Sequence, residues 1–122
     1  MIFGVDISRE WSKIKQKKTM KNFEILVEKV VIWASERGIF DAANPLAQLD
    51  KTQEELNETI EAVQQSAFNN PEVVDGIGDM LVTIIIAAKM LGLDPTYCLN
   101  EAYEEIKNRT GKMVDGKFIK DQ

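Results

Sequence analysis

The sequence predicts an all-α protein built as a four-helix bundle, with an N-terminal arm before the bundle and a short β-hairpin after it. Apolar residues recur at helical spacing through most of the chain. A capping residue followed by proline marks a helix start at Asn44-Pro45 and another at Asp94-Pro95. Residues 75–91 are apolar around nearly the whole helix circumference, which is typical of a central helix.

The composition is that of a single domain. The chain has 122 residues, of which 44% are hydrophobic and 29% charged, and this length is sufficient to bury a core. A net charge of -5 argues against a nucleic-acid-binding surface. The one cysteine, Cys98, cannot form an internal disulfide, and we expect it to be a small core residue. We therefore expect a cytoplasmic protein without a signal peptide or a membrane span.

The predicted elements follow one another with short connections. Residues 1–19 are expected to form the arm and residues 20–122 the folded domain. Loops are predicted at residues 38–44 and 66–70, and Asp115-Gly116 is the strongest kind of hairpin signal. Proline starts three of the helices, and glycine ends two. The helices are predicted at about Lys21–Arg37, Pro45–Gln65, Pro71–Leu91 and Pro95–Arg109.

The second predicted helix has two contrasting faces. One face is an apolar stripe, of the kind expected to meet the core. The opposite face is acidic, and its ordinary interpretation is a face exposed to solvent. The stripe consists of Leu46, Leu49, Leu56, Ile60 and Val63, and the opposite face of Lys51, Glu54, Glu55, Glu58 and Ala62.

Carboxylates from two helices are expected to converge. Glu55 and Glu58 are adjacent on the second helix, and Asp75 and Asp79 share a face of the third. A short linker makes these helices antiparallel neighbours, which brings the four side chains towards one point. Isolated carboxylates in apolar surroundings must be paired, protonated or bound to a metal. The chain has no histidine and few cationic side chains near this point that could pair with the carboxylates. We therefore expect a divalent metal ion there.

Two glycines inside the third helix, Gly76 and Gly78, need a reason. Each costs about 1 kcal/mol relative to alanine in a helix interior. Glycine would allow another helix or a ligand to come close, or would leave room for a hydrated ion.

These residues resemble the MazG-like members of the all-α nucleoside triphosphate pyrophosphohydrolases. The hallmark of that family is a pair of motifs, EExxE and ExxD, on two antiparallel helices. The segments WASERGI and NRTGKMVDGKFIK are similar to compact versions that phages often encode, and the resemblance covers about residues 20–120. The first motif stands at Glu54-Glu55-Leu56-Asn57-Glu58 and the second at Gly76-Ile77-Gly78-Asp79.

The chain departs from the family pattern at one position. The glutamate of the second motif should stand at position 76, which is glycine here. Either Asp75 replaces it as a ligand, or Glu55, Glu58 and Asp79 hold the metal together with water. Glu72 and Asp75 also have the ExxD spacing, one helical turn earlier.

The resemblance implies Mg²⁺-dependent hydrolysis of nucleoside or deoxynucleoside triphosphates to a monophosphate and pyrophosphate, in a nucleotide-pool or house-cleaning role. Mn²⁺ is the alternative cofactor, and the location is the host cytoplasm if a phage encodes the chain. Expected metal ligands are Glu55, Glu58, Asp79 and Asp75. Expected catalytic residues are Glu55 and Glu54 as bases and Lys51 as a counter-charge to phosphate. Expected substrate contacts are Trp33, Lys51, Asn100, Tyr103, Lys107, Arg109 and Lys112.

Assembly and substrate leave alternatives open. Relatives of this kind form dimers or dimers of dimers, and a helix that is apolar all round needs more cover than three short helices give. We therefore expect a homo-oligomer, a tetramer in preference to a dimer, and no nucleic-acid or membrane partner. A related enzyme specific for dUTP, dCTP or phosphoribosyl-ATP would share the motifs. A non-catalytic helical oligomerisation module with relic carboxylates would also fit the departure at Gly76.

Overall fold

The computed structural model describes residues 22–65 and 71–122, so the predicted arm and the linker 66–70 lie outside the described residues. The described chain is mostly helical and ends in a small antiparallel sheet of two strands. Its elements in chain order are α1 (Phe23–Glu36), α2 (Ile39–Ala42), α3 (Pro45–Gln65), α4 (Pro71–Met90), α5 (Pro95–Ile106), β1 (Gly111–Val114) and β2 (Lys117–Lys120).

Capping side chains account for the helix starts. The Asn44 side chain accepts a hydrogen bond from the backbone N–H of Ala47 at 2.9 Å, and Asp94 accepts one from Thr96 at 2.9 Å. Asn22 caps α1 in the same way. These bonds satisfy N–H groups that have no partner inside the helix. The starts predicted from the two residue pairs with proline are confirmed.

Two predicted boundaries are wrong. The loop expected at residues 38–44 contains the helical turn α2, since Gly38 turns the chain with φ 72 and its carbonyl accepts from the N–H of Ala42 at 3.1 Å. α5 ends at Ile106 rather than Arg109. The N–H of Arg109 donates to the carbonyl of Ile106 at 2.9 Å, which closes a tighter turn in place of a further helical one.

The most extensive packing between elements joins α3 to α4. Thr59 on α3 lies against Gly76 on α4. Seven residues earlier on α3, the hydroxyl of Thr52 meets that of Thr83, seven residues later on α4, at 2.6 Å. The two helices therefore run antiparallel, as the short linker predicts.

Gly76 is the point where the two helices come closest. A Cβ atom added there would stand 2.2 Å from Oγ1 of Thr59, a distance at which something has to move. The Thr59 hydroxyl donates to the carbonyl of Glu55 at 2.7 Å, which holds it in place. Of the explanations considered for this glycine, the structure shows the close approach of another helix.

The face of α3 that meets α4 is not the apolar one. The buried residues of α3 are Glu55, Thr59 and Ala62. The apolar stripe faces away, with Leu46 78% and Ile60 47% exposed in the single chain. This stripe therefore does not enter the core of the described chain, because the acidic side of the helix packs on α4 instead.

The core is small and is built mainly from α1 and α4. Its buried apolar residues are Val27, Ala34, Ala62, Ile85, Ile86 and Ala87. On α4, which is expected to be central, Ile77, Leu81 and Ile84 are still close to half exposed. Cys98 is also exposed, so its expected place in the core is wrong; α5, on which it lies, makes only a slight contact with α4.

The predicted C-terminal hairpin is confirmed. β1 and β2 pair antiparallel, with Met113 opposite Phe118. Asp115 and Gly116 form the two-residue turn with φ values of 50 and 80, the left-handed pair that matches the twist of a hairpin. The end of the hairpin is closed by a hydrogen bond of 2.8 Å from the Thr110 hydroxyl to Asp121.

Within the described parts of the chain, no single helix has both the length and the apolar composition to cross a membrane. α4 and α5 meet these criteria only as a pair, with a bend of 101° between them.

The contact at Gly76 gives a prediction about stability. Gly76→Ala should lower the free energy of unfolding by about 1–3 kcal/mol, the usual cost of overpacking. Gly78→Ala should raise it by up to about 1 kcal/mol, because an added Cβ there meets nothing within 4 Å. Urea denaturation of both variants measures the difference.

A second substitution isolates the cause. Thr59→Ala in the Gly76→Ala background removes the closest atom and leaves the Thr59 Cβ at 3.1 Å, so part of the lost stability should return. Equal effects of alanine at positions 76 and 78 would contradict the assigned helix contact.

Candidate active site

An acidic pocket lies between α3 and α4. Its volume is about 240 Å³, and five carboxylates line it, two from α3 and three from α4. The full lining is Glu55, Glu58, Ala62, Glu72, Asp75, Gly76 and Asp79. All four predicted metal ligands therefore border one space, together with Glu72.

The helix contact places these side chains. Glu55 and Glu58 stand four residues and one residue before Thr59 on α3, and Asp75 and Asp79 stand one residue before and three residues after Gly76 on α4. Because Thr59 rests on Gly76, the two acidic turns are held side by side. The close approach of the helix backbones thus brings carboxylates of both helices to one opening.

The carboxylates differ in burial. Glu55 is 9% exposed, which makes it the one buried acidic residue of the described chain, whereas Glu58, Asp75 and Asp79 are exposed. A buried carboxylate without a partner is costly. Lys51 supplies the partner, with its Nζ 3.5 Å from Glu55 and 3.7 Å from Glu54.

Lys51 is held in its charged form. The carboxylate of Glu54, and after it that of Glu55, raises the pKa of Lys51 above its ordinary value of 10.5. The side chain of Lys51 is about half exposed, so its ammonium group is accessible from solvent. A fixed positive charge therefore stands at the rim of a group of negative ones.

A second cavity, the side pocket, adjoins the acidic pocket. Its volume is about 500 Å³, within the range of roughly 300–1,000 Å³ usual for small-molecule sites. Glu55 and Asp79 border both pockets, so the two spaces meet at these residues. The lining of the side pocket is Trp33, Ile39, Ala47, Gln48, Lys51, Glu54, Glu55, Asp79, Val82, Thr83 and Ile86.

Trp33 forms part of the wall of the side pocket. The guanidinium carbon of Arg37 lies 4.7 Å from the centroid of its ring, at the distance of a cation–π contact. Arg37 also donates to the Trp33 carbonyl at 3.3 Å. The guanidinium of Arg37 thus covers one face of the indole.

Five predicted substrate contacts do not border either pocket of this chain. Asn100 and Tyr103 lie exposed on α5, and Lys107, Arg109 and Lys112 follow it. Lys107 pairs with Glu104, and Arg109 lies 3.9 Å from Glu105. The structure brings Trp33 and Lys51 to the site and leaves these five apart from it.

Gln48 is a polar side chain of the side pocket that the sequence prediction missed. The signal that could have found it is position, because Gln48 stands one turn before Lys51 on the same side of α3.

The donors of the acidic pocket are all carboxylate oxygens, the ligand type that Mg²⁺ prefers. Across residues 22–65 and 71–122, however, no three Asp, Glu or Cys side chains are gathered closely enough to hold a metal ion in the arrangement that the structure shows. Carboxylate oxygens are thus the right type of ligand for a hard cation. The carboxylates border one pocket, but their oxygens do not meet at one point.

Comparison of the chain with protein-family models, with curated proteins and with solved structures found no match.

The crowding of carboxylates gives a second prediction. In metal-free buffer, Glu58→Gln or Asp79→Asn should raise the melting temperature by about 1–3 °C, because each removes repulsion between like charges worth a few tenths of a kcal/mol. Added salt should reduce the gain, since salt screens exposed charges. Differential scanning calorimetry at two salt concentrations measures both effects.

Glu101→Gln on α5 serves as the control. Glu101 is exposed and borders neither pocket, so its melting temperature should stay that of the unmodified protein. A fall in melting temperature for both pocket variants would contradict the view that the pocket carboxylates repel one another.

Proposed function

We propose that this chain is a MazG-like nucleoside triphosphate pyrophosphohydrolase of the cytoplasm, which cleaves between the α and β phosphates. The observation that carries the proposal is the meeting of two pockets at Glu55 and Asp79. One pocket is lined by carboxylates, and the other combines an aromatic wall with a lysine. A nucleoside triphosphate matches this arrangement, because it carries a polyphosphate at one end and a flat base at the other.

Mg²⁺, or Mn²⁺ in its place, is the proposed cofactor of the acidic pocket. Glu55, Glu58 and Asp79 would hold it together with Asp75. When bound, such an ion neutralises charge on phosphate oxygens and orients water. The ion would also offset the repulsion among the carboxylates. Without an ion, this repulsion favours their separation.

The remaining groups act on the water and the phosphates. Glu55 is the first candidate to accept the proton of the attacking water, and Glu54, displaced round the helix, is the second. Lys51 stays protonated beside them and offsets the charge of the phosphates. Because Lys51 borders the side pocket, it stands where the polyphosphate would pass from one pocket to the other.

The base would lie in the side pocket against the indole ring of Trp33. Asn100, Tyr103, Lys107, Arg109 and Lys112 border no pocket of the single chain. In the proposed enzyme they would touch only a substrate held between subunits.

A homo-oligomer, preferably a tetramer, is part of the proposal, and the exposed apolar surface supports association. Leu46, Leu49, Leu56, Ile60 and Val63 lie exposed along one side of α3. Ile77, Leu81 and Ile84 on α4 add to the exposed apolar area. Monomers rarely leave a continuous apolar surface of this kind open to water, and a second copy with the same stripe covers it symmetrically.

A non-catalytic oligomerisation module is the second candidate function. The observation that favours it is Thr59, which fills the space where the family motif has a glutamate. Failure of Mg²⁺ to shift the melting temperature, together with no hydrolysis of any nucleotide, would support this alternative.

The enzyme proposal predicts release of pyrophosphate from a nucleoside triphosphate only when Mg²⁺ or Mn²⁺ is present. Loss of a residue that only supports a metal ligand lowers activity by up to about a hundredfold. Glu58→Gln and Asp79→Asn remove proposed ligands themselves, so each should lower kcat/KM by more than that. The measurement is pyrophosphate detection over canonical and modified nucleotides, with dUTP, dCTP and phosphoribosyl-ATP included. Glu101→Gln should remain as active as the unmodified protein, and equal activity of all variants would contradict the assigned site.

The assembly proposal predicts a species larger than the 13.8 kDa chain, with a tetramer as the expected mass. Leu56→Lys combined with Ile60→Lys should dissociate it, because buried unpaired charges oppose association. Light scattering coupled to size exclusion gives the masses. Glu61→Lys changes the charge of α3 by the same two units at an exposed position outside the apolar stripe and should leave the mass unchanged. An unmodified protein that runs as a monomer would overturn the assignment.

A further inference from the structure

The side pocket has a charged end and an uncharged end. Lys51, Glu54, Glu55 and Asp79 make up the charged end, next to the acidic pocket. The remaining lining residues carry no charge. A base placed against Trp33 would therefore meet few groups that can hydrogen-bond to its edge.

Thr83 is already committed to other partners. Its hydroxyl lies 2.6 Å from that of Thr52 and 2.8 Å from the carbonyl oxygen of Met80, and its single proton is used by one of these two contacts. The indole of Trp33 can only donate. Neither of these two side chains therefore offers both a donor and an acceptor to a base.

The side chain of Gln48 supplies what is missing. Gln48 is partly buried in the wall of the pocket. Its backbone N–H donates to the carbonyl of Asn44 at 3.1 Å, and its backbone carbonyl lies 3.0 Å from the Thr52 hydroxyl. Its side-chain amide has no hydrogen-bond partner in the chain as described. A glutamine amide offers two donors and an acceptor, so Gln48 is the one side chain of the uncharged end that offers both.

We propose that Gln48 reads the edge of the nucleobase, an inference that rests on the proposed function. Nothing in the described chain fixes which way its amide points, so it presents either its oxygen to an exocyclic amino group or its nitrogen to a keto group. The substrate class that follows is broad. Cytosine and adenine, which carry an amino group at C4 and C6 respectively, and uracil and guanine, which carry a keto group at the same positions, are all accepted.

The test is Gln48→Glu, which keeps the length of the side chain and leaves only acceptors. The kcat/KM ratio of dCTP over dUTP, and that of dATP over dGTP, should each rise by about tenfold, the discrimination expected of one good base contact. The change should appear mainly in KM. A general loss of rate caused by the added charge cancels in these ratios.

Two further variants complete the experiment. Gln65→Glu puts the same charge on the same helix at an exposed position outside both pockets and outside the apolar stripe, and it should leave the ratios unchanged. Gln48→Leu removes donor and acceptor together, and should raise KM for every nucleotide without changing the ratios. Melting curves establish that each variant is folded, and Gln48→Leu carries the test if Gln48→Glu does not fold.

The outcomes separate the two proposals. If the unmodified protein hydrolyses no nucleotide, the proposed function fails and the role of Gln48 fails with it. If the unmodified protein is active but Gln48→Glu leaves both ratios as they were, or Gln48→Leu leaves KM as it was, the enzyme stands and base reading by Gln48 is overturned.

Discussion

The contact of Thr59 with Gly76 is the constraint on which the site depends. A side chain at position 76 would collide with the Thr59 hydroxyl, and that hydroxyl is held by the carbonyl of Glu55. The pair of hydroxyls of Thr52 and Thr83, two turns away, fixes the same register a second time. Two contacts so far apart allow neither sliding nor rotation of α3 on α4 without loss of one of them.

The sequence predicts those parts of the fold that local chemistry decides. Asn44 and Asp94 cap their helices with their own side chains, and Asp115-Gly116 selects its turn by backbone conformation, so each is recognisable from a few neighbouring residues. The orientation of α3 is different. Periodicity separates its apolar face from its acidic face, but it does not say whether the apolar face is covered by the same chain or by another.

The candidate site was predictable to a similar extent. The spacing of Glu55 and Glu58 on one helix, and of Asp75 and Asp79 on the next, places them at one pocket once the helices are antiparallel. The sequence offers close approach of another helix as one reason for Gly76, but it does not identify Thr59 as the contact, because that contact depends on a residue of the facing helix. The predicted site residues on α5 border neither pocket. The spacing of residues along one helix does not reveal how far that helix lies from another.

The orientation of α3 links the proposed chemistry to the proposed assembly. If α3 were turned by half a revolution, its leucine stripe would enter the core of its own chain, but Glu55 and Glu58 would point away from the carboxylates of α4. The acidic pocket would then not exist. In the observed orientation the pocket forms, and the apolar stripe of α3 stays exposed among the described residues. Because both consequences come from one rotation, the proposed metal site and the proposed assembly depend on the same orientation of α3.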